Sequence, residues 1–343
     1  MAMAVVGMLE ATARAMVAPG KGILAIDETS GTCTKRFDEL GIESTEHSRR
    51  DYREMLIITP GIAAYVSGAI LVDETIRQRA AEGKPLVEVL NANDIIPGIK
   101  VDAGAKSMAG APGETVTEGL DGLAGRLHEY QEIGARFTKW RAVFRIGRRM
   151  PSRRCVEANA HALARYAALA QDAGLVPIVE PEVLMDGDHD ILRCQEVTEE
   201  VLHAVFGQLV TQGCLLEGMV LKPNMVISGS ACPKQADAAD IAELTLQTVR
   251  RCVPAAVPGI AFLSGGQTGE GACSNLSAMV SMGPLPWELT YSFGRALQYP
   301  ALEIWGGDAA NVPAAQSAFL HRTRMTSLAR SGGYSPSLER VSA

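Results

Sequence analysis

The sequence lacks the features of a membrane protein and of a nucleic-acid-binding protein. No apolar run approaches the ~18 residues that a membrane-spanning helix needs. Lys and Arg total 32 against 39 Asp and Glu, a net charge of −7, whereas a nucleic-acid-binding surface is normally basic. The apolar start has no basic residue ahead of it, which argues against a secretory signal or a transit peptide. We therefore expect a cytoplasmic protein with neither a membrane nor a nucleic acid as partner.

The cysteines and histidines lack the spacing of a disulfide framework or a metal site. The seven cysteines are scattered along the chain, which is typical of free thiols in a reducing compartment. The six histidines show no two-ligand spacing on a helix or strand. Residues 186–190, Asp-Gly-Asp-His-Asp, lack the terminal Glu of an EF-hand loop, so helix capping is the expected role. The sequence predicts neither a metal nor a cofactor.

What is present is a series of eight short apolar runs, separated mostly by segments with helical spacing. They span residues 22–27, 65–73, 95–102, 136–144, 176–182, 216–224, 259–266 and 287–295. Eight strands alternating with helices close a (β/α)₈ TIM barrel of the α/β class. A doubly wound open sheet is the alternative, but no GxGxxG turn follows the first run. We predict one domain over residues 1–343, with an N-terminal helix within 1–18 and a flexible tail over 332–343.

Charged residues are found where the apolar runs end. They are Asp27, Lys100, Lys139, Arg141, Glu180, Glu182, Lys222 and Arg295. Side chains two apart on a strand point the same way, so Lys139 shares a face with Arg141, and Glu180 with Glu182. In a parallel barrel all the C-terminal strand ends open on one rim, which carries the active site. The sequence therefore predicts one cavity that holds several cations and carboxylates.

Lys222 is the candidate nucleophile of this cavity. The chain favours Arg over Lys, 24 to 8, yet Lys100, Lys139 and Lys222 all occupy strand ends. Unlike Arg, Lys can lose its proton and attack a carbonyl. We expect desolvation at the end of an apolar strand, together with repulsion from Lys139, to lower the pKa of Lys222.

Two stretches have the character of phosphate sites. Residues 262–267, Phe-Leu-Ser-Gly-Gly-Gln, follow a strand with small residues whose backbone N–H groups can surround an anion. Gly294 and Arg295 follow the eighth strand. Phosphate sites built from the seventh and eighth loops recur in TIM barrels.

Seven motifs resemble those of class I fructose-bisphosphate aldolases, in order, from about residue 8 to 331. They occupy residues 18–28, 97–102, 139–141, 178–182, 221–225, 262–267 and 292–297. The segment Leu-Lys-Pro-Asn-Met at 221–225 is especially specific to that family. The resemblance implies a metal-independent homotetrameric barrel that reversibly cleaves fructose 1,6-bisphosphate, a reaction of glycolysis, gluconeogenesis or the Calvin cycle.

The resemblance also implies a role for each site residue. Lys222 is the Schiff-base lysine, and Glu180 the acid and base that dehydrates the carbinolamine. Lys139 assists, Glu182 lies beside them, and Asp27 accepts the C4 hydroxyl proton. The C1-phosphate residues are Ser264, Gly265 and Arg295, with Ser292 a further binding residue. The C6-phosphate residues are Lys100, Arg141 and Lys35.

One departure from the family pattern concerns the tail. Many members end in a longer tail whose terminal Tyr exchanges a proton on the enamine, whereas residues 338–343 hold no aromatic. Tyr334 belongs to the stretch before that tail and is not given the role. The expected consequence is either a slower turnover through the enamine or an exchange of the proton by Glu180 and water.

Three other functions are weighed against this one. A metal-dependent aldolase requires clustered His ligands, which are missing. A sugar-phosphate isomerase needs no pair of buried lysines. A non-catalytic barrel with a binding or scaffolding role does not need the full set of charged strand ends.

Overall fold

Eight parallel strands close into a barrel in the computed structural model, which describes residues 3–341. The strands of this part of the chain are β1 (Gly22–Ala25), β2 (Val66–Leu71), β3 (Ile96–Lys100), β4 (Ala105–Ser107), β5 (Thr115–Thr117), β6 (Phe137–Phe144), β7 (Val176–Val183), β8 (Val220–Leu221), β9 (Gly259–Phe262) and β10 (Glu288–Phe293). The barrel order is β1, β2, β3, β6, β7, β8, β9 and β10, with β10 paired to β1; β4 and β5 form a separate antiparallel pair. The predicted (β/α)₈ TIM barrel is confirmed.

Helices follow the strands and cover the outside of the barrel. They are α1 (Met3–Met16), α2 (Ser30–Asp38), α3 (Glu46–Ile57), α4 (Asp73–Arg77), α5 (Leu86–Ala92), α6 (Leu123–Ile133), α7 (Arg153–Asp172), α8 (Ile191–Thr211), α9 (Ala238–Cys252), α10 (Gly269–Ser281), α11 (Arg295–Trp305) and α12 (Val312–Arg330). Asp190 caps α8, since its Oδ1 accepts a hydrogen bond from the Arg193 N–H at 2.8 Å, the capping role expected of this loop. Within residues 3–341, no helix is both long and apolar enough to cross a membrane.

Apolar side chains close the N-terminal end of the barrel. Met16 and Val17, at the end of α1, pack with Ile23, Phe137 and other residues of the barrel interior. Phe137 is accommodated because β3 has glycine opposite it: a Cβ on Gly98 would lie 2.2 Å from the Phe137 ring. With this end filled by apolar groups, polar side chains are left for the C-terminal end.

Strand β8 is shorter than its apolar run predicts. Residues 216–218 form a 3₁₀ turn, and the strand covers only Val220 and Leu221. The ladder continues irregularly, because the Lys222 N–H donates to Val179 O at 2.8 Å and the Leu263 N–H donates to Pro223 O at 3.0 Å. Pro223 has no N–H of its own and so ends the regular pairing. Lys222 is nevertheless bonded through its backbone to β7, as a strand residue would be.

The described part of the segment 332–341 makes defined contacts. Pro336–Val341 form a 3₁₀ helix. The Glu339 carboxylate accepts hydrogen bonds from Arg322 of α12 and from the Tyr334 hydroxyl, the latter at 2.9 Å. It also lies 3.0 Å from Nε2 of His321. The flexibility expected of 332–343 stays a prediction, although the residues up to 341 have partners in the fold.

Candidate active site

The C-terminal ends of the barrel strands surround a cavity of about 660 Å³. Every site residue predicted from the sequence except Lys35 lines it: Asp27, Lys100, Lys139, Arg141, Glu180, Glu182, Lys222, Ser264, Gly265, Ser292 and Arg295. The side chains converge although their positions span most of the chain, because the parallel strands all end on the same rim.

The register between β6 and β7 aligns the central charges. Arg141 lies opposite Glu180, and Lys139 lies opposite Ile178. Alternation along each strand directs Lys139 and Arg141 to the cavity on β6, as it does Glu180 and Glu182 on β7. Trp140, between the two cations, instead packs outside the barrel on Tyr166 of α7, with ring centroids 5.5 Å apart.

Four of the charged groups form a chain of alternating sign. Asp27 Oδ2 lies 2.6 Å from Lys139 Nζ, which lies 3.2 Å from Glu180 Oε2. Glu180 Oε1 lies 3.1 Å from Lys222 Nζ. Lys222 is 3% exposed, and Lys139 and Glu180 are buried as well. Charges this deeply buried persist only when they are paired, and here each has an opposite neighbour.

The pKa shifts follow from this pairing. Burial on its own would raise the pKa of Asp27 and of Glu180, but the charges of Lys139 and Lys222 outweigh it, and both pKa values are lowered. Burial would lower the pKa of Lys139, but Asp27 and Glu180 raise it above its usual value. In the free cavity both carboxyl groups are therefore ionised and Lys139 is protonated. Glu180 is a base adjacent to the Lys222 amine.

Further cations lie on the side of the cavity formed by β1, β3 and β6. Arg141 Nε is 2.5 Å from Glu182 Oε2. Lys100 forms an ion pair with Asp102. Arg36, on α2, is 2.5 Å from Glu28. Each cation on this side is held by a carboxylate and still lines the cavity.

The opposite side carries the features of an anion site. Gly265 and Gly266 have φ of 50° and 85°, a left-handed conformation that glycine adopts without steric cost. Arg295 begins α11, so its N–H has no intrahelical acceptor. The Ser292 hydroxyl is buried without a hydrogen-bond partner among the described residues. Backbone N–H groups at such turns and helix starts bind phosphate groups.

Lys35 is the one predicted site residue outside this cavity. It is exposed on α2, whose buried residues are Cys33 and Phe37. At 3.6 residues per turn Lys35 lies on the side of α2 opposite these two, whereas Arg36 lies next to them. The position of Lys35 therefore gives no support to its predicted role as a C6-phosphate residue, whereas its neighbour Arg36 lines the cavity.

Sequence reasoning also missed the two hydroxyl groups at the start of α2. Thr29 caps this helix by accepting a hydrogen bond from the Thr32 N–H at 3.3 Å, and both residues line the cavity. The sequence feature that indicates them is Thr29, a residue type that often caps helices, two positions after Asp27. Asp102 also lines the cavity. Across residues 3–341, no group of three or more His, Cys, Asp or Glu is arranged to hold a metal ion.

Similarity to known proteins extends over nearly the whole chain. The model of the family described as "Fructose-bisphosphate aldolase class-I" matches residues 8–343. The "Probable fructose-bisphosphate aldolase class 1" of Xanthomonas campestris is 56% identical over 94% of this chain and 97% of its own length. "Fructose-bisphosphate aldolase 5, cytosolic" of Arabidopsis thaliana is 53% identical over 94% of this chain and 90% of its own. A crystal structure of fructose-bisphosphate aldolase from Plasmodium falciparum, in a ternary complex with TRAP and a small-molecule inhibitor, matches with a TM-score of 0.97 at 46% identity, over 98% of this chain and 97% of that one.

Proposed function

Because this chain belongs to the class I fructose-bisphosphate aldolase family, we propose that it uses Lys222 as the Schiff-base lysine in the reversible cleavage of fructose 1,6-bisphosphate. The products are dihydroxyacetone phosphate and glyceraldehyde 3-phosphate. The observation that carries the proposal is the buried Lys222 amine, 3.1 Å from Glu180, in a cavity that has cationic groups on two sides.

Formation of the imine begins with a proton transfer. The Lys222 ammonium must lose a proton before its lone pair can attack C2 of the ketose, and Glu180 Oε1 is the adjacent acceptor. Attack gives a carbinolamine, and Glu180 returns the proton to its hydroxyl group, which leaves as water. Lys139, paired to both Asp27 and Glu180, keeps a positive charge beside the reacting atoms.

Cleavage then uses Asp27. Its carboxylate accepts the proton of the C4 hydroxyl while the C3–C4 bond breaks. The bonding electrons move into the protonated imine, which becomes an enamine, and glyceraldehyde 3-phosphate is released. Asp27 gives up the proton it accepted to solvent, and the enamine takes a proton at C3 from water by way of Glu180. Water then hydrolyses the resulting imine to dihydroxyacetone phosphate and the free amine. The low pKa of Asp27 keeps it in the ionised form that this step needs.

Each of the two sides of the cavity binds one phosphate group of the substrate. Ser264, Gly265 and Arg295 bind the C1 phosphate, and Ser292 supplies a further hydroxyl donor. Lys100, Arg141 and Arg36 bind the C6 phosphate. The support is the cation-rich side near β1, β3 and β6 and the N–H-rich loops after β9 and β10. Fixing both ends of the substrate holds C2 against Lys222.

We propose that the enzyme works as a cytoplasmic homotetramer. Leu192 and Val210 are exposed by 56% and 67%, although both are large and apolar. They lie 18 residues apart on α8, five helical turns, and therefore on the same face. Along α8 they are about 27 Å apart, so they are two separate apolar points on one helix face that a subunit contact would cover. Light scattering after size-exclusion chromatography should give four times the chain mass; a monomer mass would refute the tetramer.

The cleavage reaction is tested by removing the amine. Lys222→Met should abolish cleavage of fructose 1,6-bisphosphate, while Lys35→Met, an exposed lysine outside the cavity, should retain it. A coupled assay for glyceraldehyde 3-phosphate measures both. Full activity in Lys222→Met would exclude the proposal. Loss of wild-type activity in a chelator would indicate a metal-dependent reaction instead.

A further inference from the structure

A buried hydrogen-bond network runs along one wall of the cavity through Gln298, a residue that has no role in the steps above. Gln298 lies one turn after Arg295 on α11 and is 1% exposed. Its Nε2 donates to Ala25 O at 2.5 Å and to Glu28 Oε1 at 3.0 Å. Its Oε1 accepts from the Tyr52 hydroxyl at 3.1 Å. Both N–H groups and the carbonyl of the side chain are thus engaged.

The bond to Ala25 lies where the ladder between β1 and β10 ends. The last pair in that ladder is Leu24 with Phe293, after which the chain turns at Gly294 into α11. The Gln298 amide, rather than a further residue of β10, then donates to Ala25 O. The side chain therefore fixes α11 against the end of β1, two residues before Asp27.

The bond to Glu28 extends the network to the proposed C6-phosphate side. The Glu28 carboxylate also accepts from Arg36 Nη1 at 2.5 Å. Its backbone carbonyl accepts from Nη2 of the buried Arg53 at 2.7 Å. Glu28 is therefore hydrogen-bonded to a residue of α3 and to a residue of α11. Its carboxylate is also the ion-pair partner of Arg36. Among the cations on this side, only Arg36 lies on a helix rather than at a strand end, so its position depends on this partner.

We propose that Gln298 is a positioning residue that sets the preference for substrates phosphorylated at C6. Its amide fixes Glu28, and Glu28 in turn orients the Arg36 guanidinium towards the bound phosphate. A long side chain that is ordered before binding loses less conformational entropy when the ligand arrives. This inference rests on the proposed function, because it assumes that Arg36 contacts the C6 phosphate.

The test compares two ketoses in the full-length enzyme. Fructose 1,6-bisphosphate carries the C6 phosphate and fructose 1-phosphate does not. Gln298→Met keeps the length of the side chain but removes both donors. We expect the ratio of kcat/KM for the bisphosphate to kcat/KM for the monophosphate to fall by about 5-fold, as for the loss of one hydrogen bond of typical net strength. Gln298→Glu, which keeps the acceptor for Tyr52 and repels Glu28, should lower the ratio as well and provides a second variant if Gln298→Met does not fold.

A double-mutant cycle with Glu28→Gln separates positioning from a structural role. If Gln298 acts through Glu28, Gln298→Met should change the substrate ratio by less than about 2-fold in the Glu28→Gln background. An equal loss for both substrates, or the same ratio change with and without Glu28, would overturn the proposal. Failure of the wild-type enzyme to cleave either ketose would instead refute the proposed function.

Discussion

Arg36 and Lys35 are neighbours on α2, but only Arg36 lines the cavity. Arg36 forms its ion pair with Glu28, and Lys35 is exposed to solvent. Arg36→Met should raise KM for fructose 1,6-bisphosphate about 10-fold, because a charge-assisted hydrogen bond to phosphate is lost. Lys35→Met removes the same charge from the adjacent position and should leave KM unchanged. Steady-state kinetics of the two variants measures the difference; equal effects would mean that general electrostatic attraction, not contact, explains the binding.

Residues at strand ends could be assigned from the sequence, whereas residues on the loops and first turns that follow could not. Lys139 and Arg141 share a face because strand alternation has a fixed period of two. Arg36 depends on the phase of α2, which is set by the burial of Cys33 and Phe37 and by where the Thr29 cap starts the helix. A helix shifted by one residue would have brought Lys35 to the cavity.

Among the elements, the loop after β9 requires glycine at one of its positions. Gly265 has a φ of 50°, and an added Cβ would lie 2.8 Å from Leu263 Cδ1. Gly265→Ala should therefore destabilise the fold by about 1–2 kcal/mol. It should also raise KM about 10-fold, because the N–H proposed to bind the C1 phosphate moves. Urea unfolding and steady-state kinetics measure the two effects.

Gly125 supplies the matched control for this substitution. It lies inside α6, and no atom comes within 4 Å of a Cβ added there. Gly125→Ala should stabilise the fold by about 0.5–1 kcal/mol, because alanine loses less conformational entropy in a helix, and should leave KM unaltered. A Gly265→Ala enzyme with the KM of the wild type would show that this loop does not bind phosphate.

The elements themselves were predictable to different degrees. Each of the eight apolar runs overlaps a barrel strand, because a strand buried on both faces is largely apolar. The β4–β5 pair had no such signal, since each strand has three residues and β4 is exposed throughout. Strand β8 is shorter than its run at both ends: a 3₁₀ turn replaces the strand at residues 216–218, and the missing N–H of Pro223 interrupts the ladder after Lys222.

For the whole molecule, the buried charges link stability to pH. The pKa of Asp27 is lower in the folded protein than its ordinary value of about 3.9. Its charge therefore stabilises the fold above about pH 4, and this contribution is lost as the pH falls through the folded pKa. Asp27→Asn should lower the free energy of unfolding by about 3 kcal/mol at pH 7, because Lys139 loses a buried partner. The difference from wild type should shrink as the pH falls from 5 to 3.

Glu132→Gln is the control for the removal of one negative charge. Glu132 is exposed on α6, so the change should stay within about 0.5 kcal/mol at every pH. Denaturant unfolding of the three proteins at several pH values tests the prediction. A gap between Asp27→Asn and wild type that stays constant from pH 7 to 3 would mean that folding does not lower the pKa of Asp27.

The decisive experiment for the proposed function is the reduction by borohydride of the imine that the Lys222 amine forms with the substrate carbonyl. The enzyme is treated with borohydride in the presence of dihydroxyacetone phosphate, digested, and the peptides are mapped by mass. We expect a stable adduct on Lys222, with inactivation in proportion to its formation, and none on Lys139 or Lys100. A fully active enzyme in which residue 222 stays unmodified under these conditions would contradict it.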